Sequence, residues 1–219
     1  MKDALIIQKA IEEIESKNFG VTRQFLDIHD LIYIDNKPVI ARVDVEETGK
    51  AIVYFPVKDE KFYLAVYLDL EPEVSVRWVN TESHDCVYFV AISETLSFDE
   101  LSAVTTIKPL TGWNKGDKKR KDGKILHKYS KIRFEPNPEA DEFDDKIKKL
   151  LEFLEQDNEG IKALAEQADG HIQVVSDFHN GNTMLGGYFL QKDIVKRLAA
   201  LNLSIDFSVF AEGNFFKGD

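Results

Sequence analysis

The sequence predicts an α+β protein in two parts, a helix packed on an antiparallel β-meander and then a βα-alternating α/β sandwich. Three observations carry this. The opening residues repeat apolar side chains at helical spacing. The stretch up to residue 93 consists of short β-branched and aromatic runs between tight turns. Beyond Ile92, helical and strand-like patterns alternate. With 219 residues, 43% of them hydrophobic and 15 of them Phe, the chain can bury a sizeable core.

In the first part, Ile7, Ala10 or Ile11, and Ile14 share one helical face, while Gln8, Lys9, Glu12, Glu13 and Glu15 fill the other. Asp3 is expected to cap this helix and Gly20 to end it. Strands are expected over 25–28, 31–34, 39–45, 51–57, 62–68, 74–79 and 86–92. The turns between them, such as Asn36-Lys37-Pro38 and Thr48-Gly49-Lys50, permit only antiparallel neighbours. Alternation over 41–45 and 74–79 predicts one wet face, with the helix over the dry one.

In the second part, Ser97-Phe98-Asp99-Glu100 has capping-box spacing and starts a short helix through Leu101 and Val104. A loop with Pro109, Gly112, Gly116 and Gly123 leads to a strand near 127–134. Six acids follow (Glu135, Glu139, Asp141, Glu142, Asp144 and Asp145), suited to the N-terminal end of a helix whose stripe is Phe143, Ile147, Leu150, Leu151 and Leu154. After the break at Asp157-Asn158-Glu159-Gly160, Ile161, Leu164, Ala165 and Ala168 make a second stripe. A strand over 172–178, a helix over about 191–201 and a strand over 203–210 complete the pattern. The division is therefore 1–85, helix plus meander; 86–212, an α/β sandwich of ferredoxin-like type; and 213–219, a tail whose Phe215 and Phe216 can dock.

Residues 86–92, Ser97 to Leu101, the pair Lys108-Pro109 and Lys115-Gly116-Asp117, the helix around Asp144 to Leu154, and the closing run 194–209 occur in a telling order. Over about 86–212 this order resembles the "domain of unknown function 4279" family, a small bacterial α+β domain. The resemblance implies that fold for the second half. The family carries no established activity, so it implies no catalytic residue and no cofactor.

Charge narrows the function classes. The 28 Lys and Arg against 39 Asp and Glu leave −11, which argues against a general polyanion or anionic-membrane binder. The single Cys86 excludes an intramolecular disulfide and, with five His, a cysteine-rich zinc site. No run reaches the roughly 18 apolar residues of a membrane span. Glu12, Glu13 and Glu15 interrupt what a signal peptide would continue, so the chain is read as mature, cytoplasmic and reduced at Cys86.

Four constellations are candidates for chemistry. Lys115, Lys118, Lys119, Arg120, Lys121 and Lys124, extended by Lys128, Lys131 and Arg133, outweigh Asp117 and Asp122 to give +7. They can meet phosphates, but the remaining −18 repels a polyanion at range, and the plainer reading is a solvated hairpin pairing with the acidic tract. Trp113-Asn114-Lys115-Gly116-Asp117 reads as a turn, since it lacks phosphate-loop spacing. His84 and Cys86 share a strand face, where a free Cys is ordinarily a small hydrophobe. His171, Gln173, Val175, Asp177 and His179 share another, and Asp177 with His179, joined by His127, can bind a metal or a small ligand or exchange protons. No nucleophile elbow, zincin, dinucleotide or calcium motif occurs. The leading expectation is a non-enzymatic, immunity- or antitoxin-like module for a basic protein partner, without catalytic residue, metal, cofactor or membrane. The His/Asp cluster and the basic segment, with nucleic acid as its ligand, are the alternatives.

Overall fold

The computed structural model describes residues 2–181 and 187–216. Helix α1 (Lys2–Ser16) buries Ala10 and Ile14 as expected, but Ile6 rather than Ile7 completes the buried stripe and Glu13, expected on the polar face, is buried too; Asp3 lies inside the first turn rather than at a cap. Gly20 does not end it. Lys17 turns the chain with φ +52°, and Gly20 opens a second helix, α2 (Gly20–Leu26). The strand expected over 25–28 is therefore the end of α2 and its turn. The buried Glu13 carboxylate accepts from the Thr22 hydroxyl (2.7 Å) and the Phe19 N–H (3.0 Å), so a tertiary contact overrides local β-propensity. The 31–34 run yields only β1 (Tyr33–Ile34), paired with β2 (Lys37–Pro38) across Asp35 and Asn36, both at positive φ.

The first sheet is a four-stranded antiparallel meander in sequence order: β3 (Arg42–Val45), β4 (Lys50–Pro56), β5 (Tyr63–Asp69) and β6 (Ser75–Glu82). Ala51, Val53, Phe55, Leu64, Val66 and Leu68 join the core under α1 and α2. The expected wet face is not continuous. On the other side Ile52, Tyr54, Ala65 and Tyr67 are also buried, packed with Ala140 of the second part. Central strands covered on both faces have no reason to alternate; the edge strands β3 and β6 keep more exposure.

Ser83 alone separates β6 from β7 (His84–Ser93), yet β7 pairs only with strands of a second sheet. There follow α3 (Phe98–Ala103), β8 (Thr111–Trp113), β9 (Ser130–Phe134), α4 (Phe143–Leu154), a 3₁₀ turn, α5 (Asn158–Gln167), β10 (Asp169–His179), α6 (Lys192–Ala200) and β11 (Ser204–Glu212). The strand order is β11-β10-β7-β9-β8. Its last four members are antiparallel throughout, in the ferredoxin-like order, and α6 carries the chain over to add β11 parallel to β10. The predicted stripes of α4 and α5 are buried against Phe89, Ile132, Phe134, Ile172 and Val174.

Capping follows the sequence. Ser97 Oγ accepts from the Glu100 N–H (3.2 Å), and the Glu100 carboxylate accepts from the Ser97 N–H (2.8 Å). Asp157 caps α5 through the Gly160 N–H (3.0 Å). The Thr106 and Gly160 N–H groups and the Thr105 hydroxyl hold its carboxyl down at about 2. Past β11, Gly213 (φ +86°) turns the chain so closely against Phe62 that a Cβ would lie 2.7 Å from its ring. Asn214 then donates to the Ile28 carbonyl (2.9 Å), and Phe216 packs into the first core, while Phe215 is exposed.

Candidate functional site

β10 alternates as its sequence predicts up to Val175, but beyond it Phe178 is only half-buried while Asp177 and His179 are buried. Ile172, Val174 and Ser176 are fully buried, and the opposite residues run from half-buried His171 to Asp177 and His179 at 2% and 1% exposure. His171 lies eight residues from His179 on one strand, about 26 Å away, and beside Asp169 (3.5 Å). His127 lies beyond β7 and β9 at the far edge, stacked on Trp113 at 4.2 Å. Asp177 accepts from Lys61 (3.0 Å) and lies 3.9 Å from His84. The four residues thus occupy separate surroundings, and only Asp177 and His179 remain close.

His179 meets His29 instead, Nε2 to Nε2 at 3.0 Å. The Gly181 N–H donates to His179 Nδ1 (3.1 Å), so the His179 proton sits on Nε2 and is donated to His29. Burial and the neighbouring His29 push His179 down to about 4, and burial lowers His29 as well. With Phe25, Phe62 and Phe216 around it, this neutral pair latches the two halves and the C-terminal segment. His84 lies 3.8 Å from Cys86, whose thiol burial pushes up, away from thiolate character.

The basic segment forms a hairpin, tied by Gly116 N–H to the His127 carbonyl (2.9 Å) and Lys119 N–H to Ile125 (2.9 Å). The expected pairing with the acidic tract occurs only at the strand end, between Arg133 and Glu135, and not at the hairpin itself among the described residues. Among the described residues Lys118, Lys119, Arg120, Lys121, Lys124 and Lys128 are exposed and form no ion pair, while Lys115 donates to the Glu94 carbonyl. Glu135 takes Arg133 (2.6 Å) and Asp141 takes Arg42 (3.1 Å) and Lys149 (2.7 Å). The reason is distance: β9 carries the chain about 17 Å from hairpin to tract. Trp113 is engaged by His127 and Lys131, and Tyr88 by Arg133 at 3.7 Å, whereas Tyr129, between Lys128 and Lys131, is 38% exposed.

The acidic tract contributes instead to a cleft of about 330 Å³ between the two sheets. Tyr54 of β4, Glu82 of β6, Asp85 of β7, Asp141, Glu142 and Asp144 at the start of α4, and Phe143, Phe178, Tyr188 and Phe189 line it, with Ser83 and Gly187. Among the described residues five acidic residues line it and no basic residue does. The buried Lys146 shapes this wall by donating to the carbonyls of Asn137 (2.9 Å) and Glu139. Three of the acids hold partners: Asp85 the Ser176 hydroxyl, with Tyr188 Oη 3.1 Å away, Asp141 the side chains of Asn137, Arg42 and Lys149, and Asp144 the Gln191 Nε2 (3.4 Å). Glu82 accepts from the Tyr67 hydroxyl, and burial raises it. Glu142 stands at the exposed rim, but its carboxyl is desolvated and crowded by Glu82, Asp145, Glu46 and Asp44, and is pushed up to about 7. Asp44, Asp141 and Asp145 come within 4.8 Å of one another, yet Arg42 and Lys149 already supply the positive charge there.

The family described as "Domain of unknown function (DUF4279)" matches residues 81–211. The chain belongs to this family. The DUF4279 span contains β7 to β11 and every wall of the cleft except Tyr54, which the N-terminal sheet inserts from outside it. No curated protein and no solved structure matches the chain. Sequence reasoning missed the cleft because its acids come from different elements. The signal available was Glu82 and Asp85 flanking Ser83, with a later acidic tract free of bases. No helix among the described residues is long and apolar enough to cross a membrane.

Proposed function

We propose that this DUF4279 protein is a non-enzymatic binding module, immunity- or antitoxin-like, whose acidic cleft receives a basic protein partner. One observation carries the reading: among the described residues five acidic residues and no basic one line the cavity, while the molecule's own cationic hairpin stands apart. The −18 outside that hairpin adds a long-range field that steers a basic partner. Titrating the protein with a synthetic Lys/Arg-rich peptide, followed by anisotropy, tests it. Binding is expected at low salt and to weaken as the Debye length shrinks from about 30 to about 8 Å between 0.01 and 0.15 M salt. Absence of binding at low salt, or indifference to salt, refutes it. Protection of cells against the product of an adjacent toxin gene tests the immunity role itself.

A second reading, polyanion binding through Lys115, Lys118, Lys119, Arg120, Lys121 and Lys124, draws support from the unpaired state of the hairpin's bases. Against it, Trp113 already stacks on His127, so that of the two rings in reach of the basic residues Tyr129 is the one open to a base. Gel shifts at low salt decide. An enzyme or metal site on His127, His171, Asp177 and His179 has weaker support, because the side chains do not converge and His179 uses both ring nitrogens internally.

A further inference from the structure

One buried polar atom in the cleft wall has no partner. Tyr54 is 2% exposed, and its hydroxyl makes no hydrogen bond among the described residues. A native structure rarely leaves such a group unmatched. Two carboxyl groups beside it are also open: Glu142 has no ion pair or side-chain hydrogen bond among the described residues, and Glu82 uses one oxygen for Tyr67. The remaining acids differ, since Asp85, Asp141 and Asp144 already hold partners. The exposed ring of Phe189 completes the wall with that of Tyr188, which is itself stacked on Phe207 (4.8 Å).

This combination selects among cations. A divalent metal ion demands six or more oxygens at close range, whereas the open acceptors are few and the cavity of about 330 Å³ far exceeds an ion. That volume lies at the lower end of small-ligand sites, roughly 300–1,000 Å³. An ammonium is a compact, strongly hydrated charge that gains little from rings. A guanidinium is planar, weakly hydrated and able to stack, and it has five N–H donors to share between carboxylates and a hydroxyl.

We propose that the cleft binds a guanidinium group, with Glu142 and Glu82 as carboxylate acceptors and the Tyr54 hydroxyl as a third acceptor. The group is an arginine side chain of the basic partner, so the proposal rests on the reading above. It adds a ligand that can be tested alone.

The probe is Nα-acetylarginine amide, titrated calorimetrically into the full chain, with Nα-acetylcitrulline amide as the uncharged isostere. The arginine probe is expected to bind and the citrulline probe to bind at least about tenfold more weakly. Tyr54→Phe removes only the unpartnered hydroxyl, and Glu142→Gln removes a crowded rim carboxyl, so neither variant should lower the melting temperature. Each should weaken the arginine probe about tenfold. Equal binding of the two probes, an unchanged Tyr54→Phe variant, or tight Mg²⁺ or Ca²⁺ binding that excludes the arginine probe overturns the proposal. If the basic peptide binds and the arginine probe does not, the guanidinium site falls while the wider reading stands. If neither binds, both fall.

Discussion

Buried titratable side chains set the pH response of this protein one residue at a time. His179 titrates near 4 in the folded chain against an ordinary 6.5, because burial and His29 oppose its charge. Between those values the unfolded chain binds more protons, so the stabilising effect is complete above about 6.5 and is lost as pH falls toward 4. Urea midpoints measured from pH 7 to 4.5 should fall accordingly. A slope that persists after replacing both His29 and His179 would contradict this assignment. Glu142 runs the other way. Raised from 4.5 to about 7, with Glu82, Asp145, Glu46 and Asp44 crowding it, it favours the folded state below 4.5 and loses that effect as pH rises through 7. A cation in the cleft favours its ionised form, so affinity for the arginine probe should rise from pH 6 to 8. In Glu142→Gln that rise should be much reduced, which calorimetry at several pH values checks. Neither residue is legible from its neighbours: Glu142 reads as one more acid at a helix start and His179 as a strand-end ligand, because desolvation is supplied by groups distant in sequence.

Helix ends and the C-terminal segment give predictions at the scale of elements. Removing the cap at Ser97 or at Asp157 should cost about 1 kcal/mol each, read as a shift in denaturant midpoint without a change in slope. Asp157→Ala should cost the more, since that carboxylate also holds Thr105 and Thr106. Phe216→Ala removes a ring that packs on His179 and the first core, and should cost about 1–2 kcal/mol. A midpoint unchanged by that substitution would mean that the C-terminal segment does not bind the halves. Of these features, the capping box and the apolar stripe of α4 are plain in the sequence, because each is written within a few successive residues. Helix α2 is not: Phe25-Leu26-Asp27-Ile28 looks like a strand until Glu13 is seen holding Thr22 and Phe19.

Across the whole molecule, charge is segregated rather than spread. Lys118→Glu with Lys121→Glu at the exposed hairpin should change stability by no more than about 0.5 kcal/mol, since neither residue has an ion pair to lose. It should leave binding of the basic peptide undiminished, while abolishing any nucleic-acid shift. Loss of peptide binding would place the partner on the hairpin and not in the cleft. The sequence by itself determined the α+β class, the meander, the helical stripes and the family of the second half. Those properties follow from periodicity and order along the chain, which neighbouring residues encode. Tertiary structure alone decided that β4 and β5 are covered on both faces, that the hairpin and the acidic tract stand apart, and that Tyr54, Glu82 and Glu142 meet. Contacts between elements distant in sequence, and the loss of water they impose, create a cleft that no single segment contains.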